Sequence, residues 1–456
     1  MSIDSAQSAR PGEWVDAEGL SPDDASALFR MQIPTDRYTS KDFVNREREA
    51  IWMRVWQIVG RVDELDKTGD FKEYRIFDQS FVVMRGNDGV IRGFVNACRH
   101  RGNPLFSGQG HAKQRIVCQY HLWPYDQQGK LRGCSKPEID KDDYGLLEVP
   151  VDTFAGFVFL NPDPDAAPLR DFLGDDVVRI LEPYHLDQMT TVLNVREALD
   201  CNWKVVMDAF EEGYHVSGIH PQLLRVLVID PSKVKYRFLD RHSIAVAPFE
   251  VAHVEGMGPE KQVEGIMELP ETFPGVVRVL PRFTELVDEN RTADGTLVFP
   301  AGITGRTLLQ QATRDTLSRD GLDVDGLTDA QMSDNHGWVL FPNFFMTVRA
   351  GEATVILAQP HESGDPNKCY WHIISVMWLP DEYKEALRAP RIDVTEPGDY
   401  KYFTALQQDY EQMPRQQLGL RNRQLDHMSL VKEEVVIAHY HSVVDRYLAA
   451  AQGATP

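Results

Sequence analysis

The chain has 456 residues, more than one compact core accommodates, so two domains are expected. A formal net charge of −21 argues against nucleic acid and anionic membrane surfaces as partners; a solvated acidic surface, or docking of a basic partner, fits it better. Five cysteines exclude a disulfide scaffold, and neither a basic-then-apolar leader nor a run of 18 apolar residues occurs, so a soluble, cytoplasmic protein is expected.

In chain order, residues 1–20 are polar and small and are expected to be loose. Ser21-Pro22-Asp23-Asp24 reads as a helix start, with Ser21 as N-cap and acids in the first turn. A second helix is expected from Ser40 over Lys41–Trp52, with an apolar stripe opposite charges. From Trp56 the period changes to two. Strands are predicted over Phe71–Ile76, Phe81–Arg85, Val90–Ala97, Arg115–Tyr120 and Gly156–Leu160, with turns at Asn87-Asp88-Gly89 and Asp126–Gly129.

Within this β-rich stretch, Cys98-Arg99-His100 and Cys118-Gln119-Tyr120-His121 form two mixed Cys–His pairs with 17 residues between His100 and Cys118. Two thiolates can hold one iron of a [2Fe–2S] cluster and two imidazoles the other. A structural zinc site would pair Cys with Cys and His with His, whereas each pair here is mixed. Cys134, Cys201 and Cys369 read as buried thiols. The domain carrying these loops should end at the turn-rich Asn161–Asp165.

Thr190–Leu199 reads as a strand leading into a helix opened by Asn202-Trp203-Lys204. His215 and His220 lie five apart, so one is expected at the helix end and the other on the turn beyond. Two imidazoles and a carboxylate on one face leave positions on Fe(II) open. Further strands are predicted in Val234–Val251. Residues 253–335 break the rhythm and are expected either to cap a pocket or to make a surface excursion. Trp338–Val348, Ala353–Gln359 and Tyr370–Trp378 read as strands; Pro380–Leu387, Tyr400–Gln412 and Leu430–Ala450 read as helices. The expected class is α+β: residues 40–162 as a small antiparallel β domain, and 163–456 as a second domain with a long antiparallel sheet packed by helices, after an N-terminal segment 1–39.

The motifs Asn96–Asn103 (N-A-C-R-H-R-G-N), Cys118–His121 and Asn202–His220 (N-W-K-x₇-E-E-G-Y-H-x₄-H) resemble the α-subunit of Rieske non-haem iron ring-hydroxylating oxygenases. A weaker match is Asp409 followed by Gln417 and Gly419-Leu420. Leu122 and Pro124 depart from the family pattern after His121, and Pro414 raises the expectation of a kink. The resemblance implies that Cys98, His100, Cys118 and His121 hold one Rieske [2Fe–2S] cluster, and that His215, His220 and Asp409 hold one mononuclear Fe(II). Asp399 and Glu411 are the competing carboxylates. It implies a helix-grip-like catalytic domain and a bridging role for Glu212, with Glu211 as the alternative and Asp208 one turn earlier. It further implies a terminal oxygenase that takes electrons from NAD(P)H through a separate ferredoxin or reductase, and a homotrimer with or without a small β-subunit. The expected substrate is apolar or aromatic, as in aromatic hydrocarbon catabolism, mono- or dioxygenated with O₂. Phe341, Phe344, Phe345, Met346, Met207 and Phe210 are candidate pocket walls, or an ordinary core stripe. The competing readings are a Rieske electron carrier without oxygenase activity and a catalytically dead scaffold subunit.

Overall fold

The computed structural model describes residues 13–16, 20–134, 136, 138–223, 233–248, 258–271 and 273–453. The start of the polar N-terminal segment, the end of the stretch expected to hold strands up to Val251, and residues 253–257 of the following excursion lie outside them. Two compact units are present: one comprises Val44–Val178, Pro360–Asp365 and Tyr447–Pro456, the other Met1–Phe43, Arg179–Gln359 and Pro366–Arg446.

The smaller unit is antiparallel β. A five-stranded sheet runs in the order Glu148–Val149, Ile91–Val95, Gln79–Arg85, Asp70–Ile76, Gln109–His111. Its central hairpin pairs Arg85 with Ile91 and Phe81 with Val95, and Gly89 takes the left-handed conformation (φ 81°) that the Asn-Asp-Gly turn requires. Val82, Met84, Phe94, Phe106, Ile116, Trp123 and Tyr125 form one buried cluster together with Cys98 and Cys118. The predicted strand at Arg115–Tyr120 is only Ile116–Val117, paired with Pro124–Tyr125, because the chain turns into a tight loop at Cys118.

The larger unit is built on a nine-stranded sheet. Its order is Trp14–Asp16, Lys235–Leu239, His242–Ala247, Asn335–Leu340, Phe344–Arg349, Glu352–Pro360, Cys369–Met377, Thr190–Leu199, Ile392–Val394. Thr190–Leu199 keeps its predicted bounds and pairs antiparallel with Cys369–Met377 and parallel with Ile392–Val394. The single strand expected over Trp338–Val348 is instead a hairpin, broken at Phe341-Pro342-Asn343, where Pro342 has no N–H to give a ladder. Lys41–Trp52, which from Val44 onward belongs to the smaller unit, is α-helical only to Glu47 and continues as a π-helix, Arg48–Trp52. The helix expected over Tyr400–Gln412 runs Thr404–Leu420, with Pro414 inside it. Within the 253–335 excursion, helices Pro259–Glu268, Leu280–Asp288 and Gly305–Arg319 enclose a core of their own around Ile266, Phe283, Leu309 and Ala312.

Candidate metal centres

In the smaller unit, two loops have the same closure. The Cys98 N–H donates to Asn103 O (2.9 Å) and the Gly102 N–H to Cys98 O (2.9 Å). Equally, the Cys118 N–H donates to Trp123 O (2.9 Å) and the Leu122 N–H to Cys118 O (3.0 Å). The fifth residue of each loop is left-handed: Gly102 at φ 76° and Leu122 at φ 59°. Leu122 therefore holds, at a steric cost of roughly 1–2 kcal/mol, a conformation that glycine adopts freely. The loops place the two thiols inward, 3 % and 2 % exposed, and the two imidazoles outward, with His100 Nδ1 and His121 Nδ1 3.2 Å apart. Tyr125 lies beneath the thiols: its hydroxyl is 3.3 Å from Cys98 Sγ and accepts the Arg99 N–H. Burial first, then the hydrogen bond to Cys98, pushes the Tyr125 pKa up, so it remains a neutral donor toward sulfur. Trp123 stacks on the His100 ring at 5.0 Å. Two buried thiols on one side and two surface imidazoles on the other match the donors of a mixed cluster.

In the larger unit, Asn202 caps the helix Trp203–Phe210 by accepting the Lys204 N–H (3.1 Å). The expected placement of the histidines needs correction. The helix stops at Phe210, and a second, one-turn helix Val216–Ile219 follows, with His215 at its N-cap and His220 at its C-cap. The two rings meet at 5.2 Å and 77°. Asp409 reaches them from the helix Thr404–Leu420, whose buried face is Leu406, Asp409, Met413, Gln417 and Leu420. Asp409 Oδ1 is 3.0 Å from His220 Nε2 and 3.8 Å from His215 Nε2, and one ligand atom from each residue falls within 4.8 Å of the others. Glu411 and Asp399 are exposed, and Glu411 accepts from Gln407.

The proton assignment follows from the other ring nitrogens. His215 Nδ1 is 2.5 Å from Glu212 Oε1, and His220 Nδ1 is 2.7 Å from Gln408 Oε1. Both acceptors require N–H at Nδ1, which leaves two Nε2 lone pairs facing a carboxylate oxygen. With both rings neutral, three lone-pair donors converging in this way fit a divalent cation. Burial lowers the His215 pKa, but the Glu212 carboxylate, helped by Asp409, outweighs it and leaves the net shift upward.

Of the two candidate bridging acids, Glu212 holds His215, also accepting its backbone N–H (3.0 Å). Glu211 is buried, and neither of its carboxylate oxygens has a hydrogen-bond partner among the described residues. Asp208 is engaged elsewhere: Tyr38 donates to Asp208 Oδ2 (2.5 Å), and His441 lies 3.3 Å from Oδ1. Sequence reasoning missed Gln408, whose only signal is its place beside Asp409. It also missed what Gln417 does: its Oε1 accepts the Asn202 N–H (3.0 Å), which ties the Asp409 helix to the start of the helix before the histidines. Phe341, Phe344, Phe345, Met346 and Met207 are all buried. Phe210 packs at 5.9 Å from Phe345 and 6.2 Å from Trp371.

This combination of a β unit presenting paired Cys–His loops and a second unit, with a large and mainly antiparallel sheet, whose helices carry a two-His, one-carboxylate group defines a Rieske-type non-haem iron protein. Residues 55–150 match the Rieske [2Fe-2S] domain and residues 182–450 the ring hydroxylating alpha subunit catalytic domain, and the chain belongs to that α-subunit family. The cofactors of the family are one Rieske cluster and one mononuclear iron. The carnitine monooxygenase oxygenase subunit of Acinetobacter pittii (strain PHEA-2) is 34% identical over 204 residues, 43% of this chain and 55% of that protein. The glycine betaine monooxygenase oxygenase subunit of Chromohalobacter salexigens is 31% identical over 216 residues, 45% of this chain and 48% of that protein. The chain thus spans about half the length of the curated relatives it matches. Among solved structures, a naphthalene 1,2-dioxygenase with bound indole superposes with a TM-score of 0.66 at 18% identity, covering 96% of each chain. A quaternary ammonium Rieske monooxygenase gives 0.64 at 20% identity, covering 92% of this chain and 96% of that one. These two likenesses show the fold. No helix among the described residues is long and apolar enough to cross a membrane.

Proposed function

We propose that this chain is the terminal oxygenase of a multicomponent system, supplied with electrons from NAD(P)H through a separate ferredoxin or reductase. Cys98, His100, Cys118 and His121 would hold the [2Fe–2S] cluster, and His215, His220 and Asp409 the Fe(II). The observation that carries the reading is the convergence of two Nε2 lone pairs and one carboxylate oxygen, with each Nδ1–H fixed by a separate acceptor. Bound iron would supply O₂ activation with electrons received from the cluster. The chain's own residues then hold and orient: Glu212 and Gln408 fix the ring tautomers, and Gln417 fixes the approach of the Asp409 helix.

For the substrate, the aromatic hydrocarbon expected from the sequence gives way to a small cationic compound, a quaternary or tertiary alkylammonium. Two features support this reading. The relatives above are named for carnitine and glycine betaine. An aromatic group, Phe210, Trp371, Tyr402 and Tyr410, also gathers beside the buried carboxylate of Glu197, which accepts from both tyrosines (2.8 and 2.7 Å). Aromatic faces with a nearby anion suit a quaternary ammonium. The helical lobe of 253–335 is proposed to cap the pocket.

Iron counting tests the class: about three irons per chain support an oxygenase and two an electron carrier. His215→Ala, His220→Ala or Asp409→Ala should each remove the mononuclear iron and leave the low-average-g EPR signal of the cluster. A colourless zinc protein would end the reading. Product analysis with carnitine, glycine betaine and an arene under isotopically labelled O₂ tests the substrate. Label in an arene product alone would overturn the cationic assignment.

A further inference from the structure

The chain is strongly acidic as a whole, with a net charge of −21. Against that background the smaller unit has a basic concavity of about 760 Å³, whose lining includes His111, Lys113, Arg115, Arg132, Asp126 and Gln127. Its other basic side chains have acidic neighbours: His111 Nδ1 lies 3.0 Å from Asp70, and Arg132 pairs with Asp126 at 2.6 Å. Lys113 and Arg115 are exposed, and neither has an ion-pair partner among the described residues. Cationic side chains left unpaired in one hollow of an anionic protein form a local field of opposite sign to the rest of the surface.

The hollow is wired to the metal loops by sequence. Arg115 immediately precedes the strand Ile116–Val117, which runs directly into Cys118. Three residues of extended chain span at most ~11 Å, so the Arg115 backbone lies within that distance of the Cys118 backbone. The two imidazoles face outward at the tips of the loops, while the thiols face the unit's own core. The loops therefore have two approaches: the exposed His100 and His121, and the chain that leads from the basic hollow to a buried thiol.

We propose that this concavity, centred on Lys113 and Arg115, is the docking surface for the separate electron-donor protein, and that the donor's contacting face is acidic. The inference rests on the reading of the chain as a terminal oxygenase. The overall charge repels an acidic donor, and the hollow steers it to a place from which the chain gives an electron a short path to Cys118. With the cluster held by Cys98, His100, Cys118 and His121, one electron would pass to it from a reduced [2Fe–2S] centre of the donor; the donor would be oxidised, the cluster reduced, and no proton or bond exchanged.

The experiment uses the full holoprotein and a plant-type [2Fe–2S] ferredoxin, an acidic carrier, as the probe. Cluster reduction by the reduced probe is followed by rapid mixing as a function of ionic strength, and binding of the oxidised probe is measured by titration. Lys113→Glu/Arg115→Glu is expected to slow second-order reduction and weaken binding at least tenfold at low salt, and to flatten the salt dependence. Photochemical reduction of the cluster, and product formed by photoreduced enzyme, should match the wild type. Lys113→Gln/Arg115→Gln should fall between the two, and it decides the matter if the charge-reversed variant loses its cluster absorbance. Wild-type rates and salt slope in both variants would overturn the proposal, as would a wild-type rate indifferent to salt. Failure of the underlying reading shows itself separately, as photoreduced wild type that forms no product.

Discussion

At the scale of single residues, neighbouring acids do opposite things. Glu212 is hydrogen-bonded to a histidine, while Glu211 is enclosed without partners. Burial, and then the charge of Asp208, raises the Glu211 pKa well above the ordinary carboxylate value. The folded chain therefore keeps a proton that the unfolded chain loses above about pH 4.5, and this residue's contribution to stability declines as pH rises. Glu211→Gln, a neutral isostere, should raise stability at pH 8, flatten its decline above pH 5, and leave the metal content unchanged. Denaturant unfolding at several pH values, with iron analysis, measures both. His336 behaves in the reverse sense. It is buried with neither ring nitrogen hydrogen-bonded, and burial lowers its pKa to about 4. Between about pH 6.5 and 4 the unfolded chain takes up a proton that the folded chain refuses, so stability falls as pH falls through that window. The loss at pH 5 is about 2 kcal/mol relative to pH 8. His336→Phe should recover most of it, and equal acid sensitivity in the variant would contradict this account.

At the scale of elements, the placement of the candidate iron ligands depends on one helix start. Asn202 caps its helix with its side-chain oxygen, donates its N–H to Gln417, and donates from Nδ2 to Tyr38 O and Pro366 O. The cap contributes ~1 kcal/mol and each further bond roughly 0.5–1.5 kcal/mol. Asn202→Ala should therefore cost about 2–4 kcal/mol. It should also weaken retention of mononuclear iron more than retention of the cluster, since the helix it starts leads into His215 and His220 while the cluster loops lie in the other unit. Equal loss of both metals would place its effect elsewhere. The second Cys–His loop offers the opposite case. Leu122 occupies a left-handed position and is 68 % exposed, so Leu122→Gly removes strain without opening a cavity. Unfolding followed by cluster absorbance should show an equal or more stable loop.

At the scale of the whole molecule, the proposed assembly is a ring in which one chain's cluster lies beside the next chain's iron. Glu212 would bridge from His215 to the neighbour's His100, accepting from both. The exposed Tyr120 and Leu122 flanking His121 suit a face covered by a partner chain. Glu212→Gln should leave both metals bound and the cluster reducible, yet slow single-turnover product formation at least tenfold, a barrier increase of about 1.4 kcal/mol. Mixing a His100→Ala chain with a His215→Ala chain should restore part of the activity that each lacks, because complementary sites then meet across the interface. A fully active monomer would rule the ring out.

Much of this was legible in the sequence because its signals are local. The mixed Cys–His spacing, the Asn-Asp-Gly turn, the period-two strands and the Ser21 and Asn202 caps each rest on residues a few positions apart, where φ/ψ preference and side-chain reach act directly. The α+β class and the family follow from those signals in series. The exceptions share a physical cause. A one-turn helix between His215 and His220, the break at Phe341-Pro342-Asn343 and the unbroken helix through Pro414 are settled by packing against distant chain, which no local preference encodes. So too are the contacts within the site. That Asp409 rather than Asp399 or Glu411 faces the imidazoles, that Gln408 fixes His220, and that Glu212 is bonded while Glu211 is sealed off all depend on elements some 190 residues apart in sequence, or on which side of a helix end a side chain leaves. The sequence by itself determined which chemical groups this protein carries and the local turns that present them; the tertiary structure alone decided which of them share a few ångströms, because burial and long-range contact are properties of the folded chain.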